Sequence, residues 1–132
     1  SDILSGGQGN DILIGVDTND TLPGVGEIDM LSGGSGSDRF VLGDANKVYY
    51  NNGNNVTSGF SDFAWITDFS VSQGDTIQLR GNASNYRVVA SPLGLPIGTA
   101  IFLRTATGQN ELIAIVQGVN NLNLTSAAFV YV

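Results

Sequence analysis

The amino-acid sequence predicts an all-β protein: a parallel β-roll of nonapeptide repeats followed by a mainly antiparallel β cap. Three observations predict this class. Aspartates recur every nine residues in the first part, four later segments alternate apolar and polar residues, and no long stretch has helical periodicity. A chain of 132 residues is long enough for one compact domain.

The nine-residue spacing is the most specific feature of the sequence. The five aspartates are Asp2, Asp11, Asp20, Asp29 and Asp38, and the large apolar residues two positions after them are Leu4, Leu13, Leu22, Leu31 and Phe40. Residues 6–14 and 33–41 fit the pattern GGxGxDxUx at every fixed position. This pattern is typical of calcium-binding parallel β-helix repeats.

The repeat predicts a coil. In each unit we expect six residues to form a glycine-rich turn, where glycine permits positive φ, and three to form a strand whose central side chain points inward. Two units, 18 residues together, would complete one coil. Coils would stack at about 4.8 Å and bury the five apolar residues. Aspartates in turns above one another would repel unless a cation lay between them.

The distribution of charge supports a cation. The net charge is −7, and residues 1–44 hold eight of the twelve acids but only one base. The donors on offer are oxygens, which suit calcium, and the absence of Cys and His excludes disulfides, Cys/His zinc sites and imidazole or thiolate catalysis. The negative charge argues against nucleic acid and anionic membranes, and the longest apolar run, residues 112–116, is too short for membrane insertion.

Residues 1–41 resemble the repeats-in-toxin (RTX, hemolysin-type) family of secreted calcium-binding β-rolls. Carbonyls of two stacked turns and both aspartates bind the ion in that family, so the resemblance implies three sites here. The first would comprise Gly7, Gly9, Asp11, Gly24, Gly26 and Asp29. The second would comprise Val16, Thr18, Asp20, Gly33, Ser35 and Asp38. An incomplete third would comprise Asp2, Gly15, Asp17 and Asp20.

Two units depart from the repeat. Residues 15–20 have lost two of three turn glycines, and Glu27 replaces the fourth-position glycine of the next unit. Because the spacing of the aspartates survives, we expect the coil to persist with altered turns. Asp17 and Glu27 are then either extra ligands or solvated acids.

After the repeats, the pattern predicts further β structure. We expect a short β segment at 47–50, a polar loop at 51–59, and strands at 76–80, 86–90, 100–105 and 112–117. We also expect a hairpin turn at 107–110 and one helical turn, capped by Thr125, before the apolar run at 129–132.

This second part also carries resemblances. Residues 66–79 resemble the segment that follows RTX rolls in secreted proteases and alginate epimerases. The wider stretch up to residue 118 resembles the carboxy-terminal bluetail domain of cyanobacterial surface proteins. We therefore divide the chain into a roll truncated at its amino-terminal end, residues 1–44, and a cap packed on it as one unit, residues 45–132.

A roll end exposes unpaired strand edges, so a cap that closes the stack is expected. Asp68 and Asp75 either complete a last calcium site or serve as turn residues. Trp65, Phe69 and Tyr86 are predicted as core residues. Tyr49 and Tyr50 either bind a glycan together with the asparagine-rich loop or have no ligand.

The function expected from the sequence is not catalytic, because no nucleophile, base or phosphate-binding motif is present. We expect a calcium-dependently folding, carboxy-terminal module of a larger secreted or cell-surface protein. Its partners would be calcium ions, upstream repeats, a passenger domain and, by the resemblance, a type I secretion machinery. The alternatives are an adhesion or carbohydrate-binding module, and the non-catalytic tail of a secreted protease or epimerase.

Overall fold

The structure, a computed structural model, describes residues 1–53, 60–106 and 109–132, and these residues are almost entirely β or irregular. Within these ranges the helical segments are two short 3₁₀ turns, Val71–Gln73 and Ala83–Asn85. None of the helices there is long and apolar enough to cross a membrane. The strands are β1 Ile3–Gln8, β2 Ile12–Leu13, β3 Ile28–Ser35, β4 Arg39–Val41, β5 Phe63–Ile66, β6 Thr76–Leu79, β7 Tyr86–Ala90, β8 Gly98–Leu103, β9 Glu111–Gln117 and β10 Phe129–Tyr131.

The strands form two sheets, one mixed and one parallel. Each sheet contains strands from both sides of residue 44. One sheet has the order β1-β3-β5-β9-β8-β7, and the other has the order β10-β6-β4-β2. Pairing is parallel throughout the second sheet and from β1 to β9 in the first, and only β9-β8-β7 is antiparallel. In the expected cap, β7, β8 and β9 pair antiparallel, as predicted, whereas β5, β6 and β10 pair in parallel, so the cap is mixed.

The stacking register also differs from the prediction. Leu4 pairs with Leu31 and Leu13 pairs with Phe40, so stacked positions are 27 residues apart and the expected 18-residue coil is wrong. The unit around Leu22 leaves the stack, and Leu22 is 52% exposed. Pro23 gives the physical reason, because proline has no N–H for a strand ladder, and the preceding turn has lost its glycines. We call residues 14–27 the excursion.

The core lies between the two sheets. Of the five apolar repeat residues, Leu13, Leu31 and Phe40 are buried and Leu4 is partly buried. Phe40 contacts Phe69 across the core, with ring centroids 6.1 Å apart. Phe69 and Tyr86 are buried as predicted, whereas Trp65 is half-buried beside a second apolar cluster around Phe63.

Most strands of the second part were predicted correctly. The segments at 76–80, 86–90, 100–105 and 112–117 correspond to β6, β7, β8 and β9. The β segment at 47–50 is wrong, because this stretch is a turn held by a bridge between Gly43 and Val48. The helical turn at Thr125 is also absent from the described residues, which form non-helical turns before β10. Residues 54–59 of the predicted loop and 107–108 of the predicted hairpin turn lie outside the described residues.

Glycines allow the coils to lie close together. Gly7 and Gly34 are paired in β1 and β3, and both have positive φ, 95° and 90°. A Cβ added to Gly34 would overlap the carbonyl oxygen of Gly7, whereas a Cβ added to Gly7 would meet no atom within 4 Å. Gly7 and Gly34 thus both need a left-handed backbone, but only Gly7 has room for a side chain.

We predict that Gly34→Ala lowers the free energy of unfolding by about 2 kcal/mol more than Gly7→Ala. Both variants carry the left-handed backbone penalty, but only alanine at 34 forces the coils apart. Urea denaturation of the two variants in one buffer measures the difference. Equal losses would contradict the observed pairing of Gly7 with Gly34.

Candidate metal centre

Asp11, Asp38 and Asp75 form one line down the stack, which we call the first aspartate row. They directly precede β2, β4 and β6, and these strands are neighbours in one parallel sheet. Asp38 Oδ1 accepts the backbone N–H of Asp11 at 2.9 Å, and Asp75 Oδ1 accepts that of Asp38 at 2.9 Å. The carboxylates of Asp38 and Asp75 therefore each join their coil to the one before it.

The second oxygens of this row differ in their contacts. Asp11 Oδ2 and Asp38 Oδ2 are buried and have no hydrogen-bond partner. Asp75 Oδ2 accepts the Ser70 N–H at 2.9 Å. The two unpaired oxygens belong to the two units that match the nonapeptide at every fixed position. A buried, unpaired carboxylate oxygen is costly, so each calls for a counter-charge or a proton.

Each unpaired oxygen faces the first glycine of its own unit. A Cβ on Gly6 would lie 2.6 Å from both Asp11 Oδ2 and the Gly33 carbonyl oxygen, and a Cβ on Gly33 would overlap Asp38 Oδ2. Glycine at these positions therefore leaves the space in front of the oxygens open. A cleft of about 380 Å³ that opens to solvent is also lined by Asp11, Asp38 and Arg39, but Gly6 and Gly33 are not part of its lining.

These groups fit a hard cation such as calcium. The donors present are carboxylate and carbonyl oxygens, which calcium binds in sets of six to eight with flexible geometry. The described residues contain no group of three or more Asp, Glu, His or Cys that could hold a metal. Beyond the two carboxylates, protein ligands would therefore be backbone carbonyls, which need no additional acidic residue.

Residues of the first predicted ligand set lie beside residues of the second set. Gly7 lies on Gly34, and the Gly9 N–H donates to Ser35 O at 2.9 Å. Half of the first predicted set therefore lies beside half of the second, and together they are Gly7, Gly9, Asp11, Gly33, Ser35 and Asp38. The other members of these sets are not in adjacent turns, because the coil is longer by the excursion.

Asp2 and Asp29 form a second aspartate row on the other side of the stack, and Asp62 lies two residues before Ala64, the residue paired with Asp29. Asp29 Oδ1 accepts the Asp2 N–H at 2.6 Å, and Asp62 Oδ2 accepts the Gly26 N–H at 3.3 Å. Asp29 is fully buried, and its Oδ2 accepts the Tyr50 hydroxyl at 2.9 Å. Asp29 thus has a phenol where Asp11 and Asp38 have no partner.

Tyr50 is held firmly in this position. It has a positive φ of 59°, and its N–H donates to Pro23 O at 2.8 Å. Its ring lies against Gly24 and its hydroxyl lies by Gly15, where a Cβ would come within 2.8 Å of the oxygen. Burial, then the charge of Asp29, raises the pKa of Tyr50, so the phenol stays a donor. The sequence analysis did not predict this contact. The only indication was the pair Gly15 and Gly24, because glycines leave space for a large neighbouring side chain.

A glycan site at Tyr49 and Tyr50 is wrong, because both side chains are buried. Tyr49 donates its hydroxyl to Asp44 Oδ2 at 2.9 Å. Burial and this carboxylate raise the pKa of Tyr49 to about 12. Backbone N–H groups, first that of Asn46, lower the pKa of Asp44.

The predicted ligands Val16, Asp17, Thr18 and Asp20 lie in the excursion, outside the strands. Asp17 and Asp20 are exposed and accept local N–H groups, those of Asn19 at 2.9 Å and Leu22 at 3.3 Å. The Lys47 ammonium donates to the carbonyl oxygens of Thr18 and Asp20. A lysine therefore supplies the positive charge at this degenerate turn. Glu27 is half-buried at the end of the excursion.

The contacts of Asp68 and Asp75 favour the turn interpretation over a last calcium site. The Asp68 carboxylate accepts Ser32 Oγ at 2.7 Å and the N–H groups of Gly33 and Gly34, each at 2.9 Å. Both oxygens of Asp75 also accept N–H groups. These carboxylates bind backbone donors of the neighbouring turn.

No family model matches the chain, and no curated protein matches it either. The interpretation of the site therefore rests on the contacts of its own residues.

We predict that Tyr50→Phe lowers the free energy of unfolding by about 3 kcal/mol, because it leaves the buried Asp29 carboxylate without a donor. Tyr86→Phe is the matched control. Tyr86 is equally buried, but its hydroxyl donates at 2.7 Å to a neutral carbonyl, that of Arg80, so about 1 kcal/mol is expected. Thermal or urea unfolding compares the variants, and equal losses would show that Asp29 does not depend on Tyr50.

Proposed function

We propose that this chain is a calcium-binding module that folds on binding the ion, as its resemblance to hemolysin-type RTX proteins implies. The observation that carries the proposal is the pair of buried, unpaired oxygens on Asp11 and Asp38. They occur in the two complete repeats, beside glycines that leave space for an ion. Asp29 and Asp75, by contrast, have protein donors on both carboxylate oxygens.

We further propose that β1 to β6 constitute a parallel β-roll whose first coil has 27 residues and whose second has 35 to 37, closed by the strands that follow. The parallel pairs β1-β3-β5 and β2-β4-β6 support this description. In this proposal the excursion is an insertion into one coil. The Lys47 ammonium, which contacts the excursion, and the Tyr50 hydroxyl occupy the places of ions that the regular repeats would bind.

Calcium would convert an unfavourable charge distribution into a stable one. Without an ion, a net charge of −7 and two unpaired buried oxygens oppose folding. With an ion, the free energy of binding adds to the free energy of folding. By the RTX resemblance, such a module crosses a type I secretion channel unfolded at low calcium and folds outside the cell. We therefore propose a secreted or cell-surface location, with upstream repeats and a passenger domain as partners.

The other functions are less well supported. A glycan would need exposed aromatic side chains, and Tyr49 and Tyr50 are buried. Trp65 is half-buried, and its Nε1 donates to Gln117 Oε1 at 2.6 Å. A role as the non-catalytic tail of a secreted enzyme is compatible with calcium-dependent folding and concerns the passenger domain.

We predict that calcium stabilises the chain and that Asp38→Asn removes most of this gain. At calcium concentrations 100 times the dissociation constant, one site contributes about 2.7 kcal/mol. Asparagine keeps the Oδ1 acceptor for the Asp11 N–H but lacks the charge on the unpaired oxygen. In chelator the variant should therefore be at least as stable as the parent. Chemical unfolding with calcium and with chelator measures both quantities.

Asp20→Asn is the matched control, because Asp20 is an exposed acid of the excursion that the nine-residue spacing placed in a site. Its calcium-dependent gain should equal that of the parent. A parent protein whose unfolding is the same with calcium and with chelator would overturn the proposed function. A loss in Asp20→Asn but not in Asp38→Asn would overturn the assignment to the first aspartate row.

A further inference from the structure

Asp62 lies near another buried carboxylate, that of Glu111. Asp62 directly precedes β5, and Glu111 is the first residue of β9. These strands pair in parallel with Ala64 opposite Ala114, so both acids lie at the amino-terminal end of adjacent strands. Neither residue belongs to the nonapeptide repeats or to the predicted ligand sets.

Both side chains are buried, each only 1% exposed, and each uses one oxygen for a backbone donor. Asp62 Oδ2 accepts the Gly26 N–H at 3.3 Å, and Glu111 Oε1 accepts the Asn52 N–H at 3.4 Å. Both distances are long for such bonds. The remaining oxygens, Asp62 Oδ1 and Glu111 Oε2, are buried without a hydrogen-bond partner.

Three of the five basic side chains donate to backbone carbonyl oxygens elsewhere in the chain. Arg104 follows β8, the other neighbour of β9, and its Nε donates to Tyr86 O at 3.0 Å. Lys47 donates to the excursion, and Arg80 Nε donates to Ala45 O at 3.3 Å. The hydroxyl of Tyr50 donates to Asp29. Two buried carboxylates thus each retain an oxygen without a donor.

We propose that Asp62 Oδ1 and Glu111 Oε2 bind a divalent cation, calcium, at a site separate from the first aspartate row. Two carboxylates carry the charge that one divalent ion neutralises, and oxygen donors suit calcium. Burial, and after it the charge of Asp62, raises the pKa of Glu111 to about 6, in accord with a pair that lacks a counter-charge.

This ion would have a structural effect that the repeat site does not have. It would join the start of β5, which continues the parallel stack, to the start of β9, which leads into the antiparallel strands β8 and β7. The site would therefore fasten the antiparallel part of the sheet to the coils. A proton shared between the two carboxylates is the competing explanation.

The test counts calcium ions bound to the whole chain by equilibrium dialysis, with the bound metal measured by elemental analysis. The double variant Asp62→Asn/Glu111→Gln keeps both backbone acceptors and removes both charges. We expect it to bind one ion fewer than the parent. Asp11→Asn/Asp38→Asn is the matched control and should retain the Asp62–Glu111 ion while it loses the ion of the first row.

Because the two double variants are counted separately, failure of this site and failure of the proposed function are distinguishable. A count unchanged in Asp62→Asn/Glu111→Gln, together with higher stability both with calcium and with chelator, would overturn the proposal in favour of a shared proton. The single variant Glu111→Gln guards against misfolding of the double variant. It should weaken the binding of one ion at least tenfold, and unchanged affinity for every ion would overturn the proposal.

Discussion

The stack depends on aspartates whose carboxylates accept the backbone N–H of the preceding coil. Asp38 binds the Asp11 amide and Asp75 binds the Asp38 amide, while Asp29 binds the Asp2 amide on the other side. Each of these bonds is charge-assisted, and all three accepting carboxylates are almost fully buried. One oxygen of every such aspartate is thereby committed to holding the coils in register. The chemistry of the site is then decided by what the other oxygen meets.

The second carboxylate oxygen has different surroundings at different aspartates. Asp29 receives the hydroxyl of Tyr50, and Asp75 receives the amide of Ser70, so neither needs an ion. In the excursion, the Lys47 ammonium binds carbonyl oxygens of a turn that has lost its glycines. Asp11 and Asp38 keep an oxygen without a donor, and both follow complete glycine-rich turns. The loss of the repeat pattern and the arrival of protein donors therefore occur at the same positions.

The spacing of aspartates was enough to predict β structure and the burial of Leu13, Leu31 and Phe40. It was not enough to predict the register, because a nine-residue period says nothing about which units remain in the stack. Pro23, which has no N–H, was the available signal that one unit would leave it. The contacts of Tyr50 and the pair Asp62–Glu111 join residues far apart in the chain, and no local pattern announces them.

The most direct test of the account is anomalous diffraction from crystals grown in calcium, which locates the ion independently of any variant. We expect a calcium peak within about 2.6 Å of Asp11 Oδ2 or Asp38 Oδ2, on the side of Gly6 and Gly33. Peaks at Asp17 and Asp20, or a first aspartate row without any peak while its side chains keep the positions described, would contradict the account.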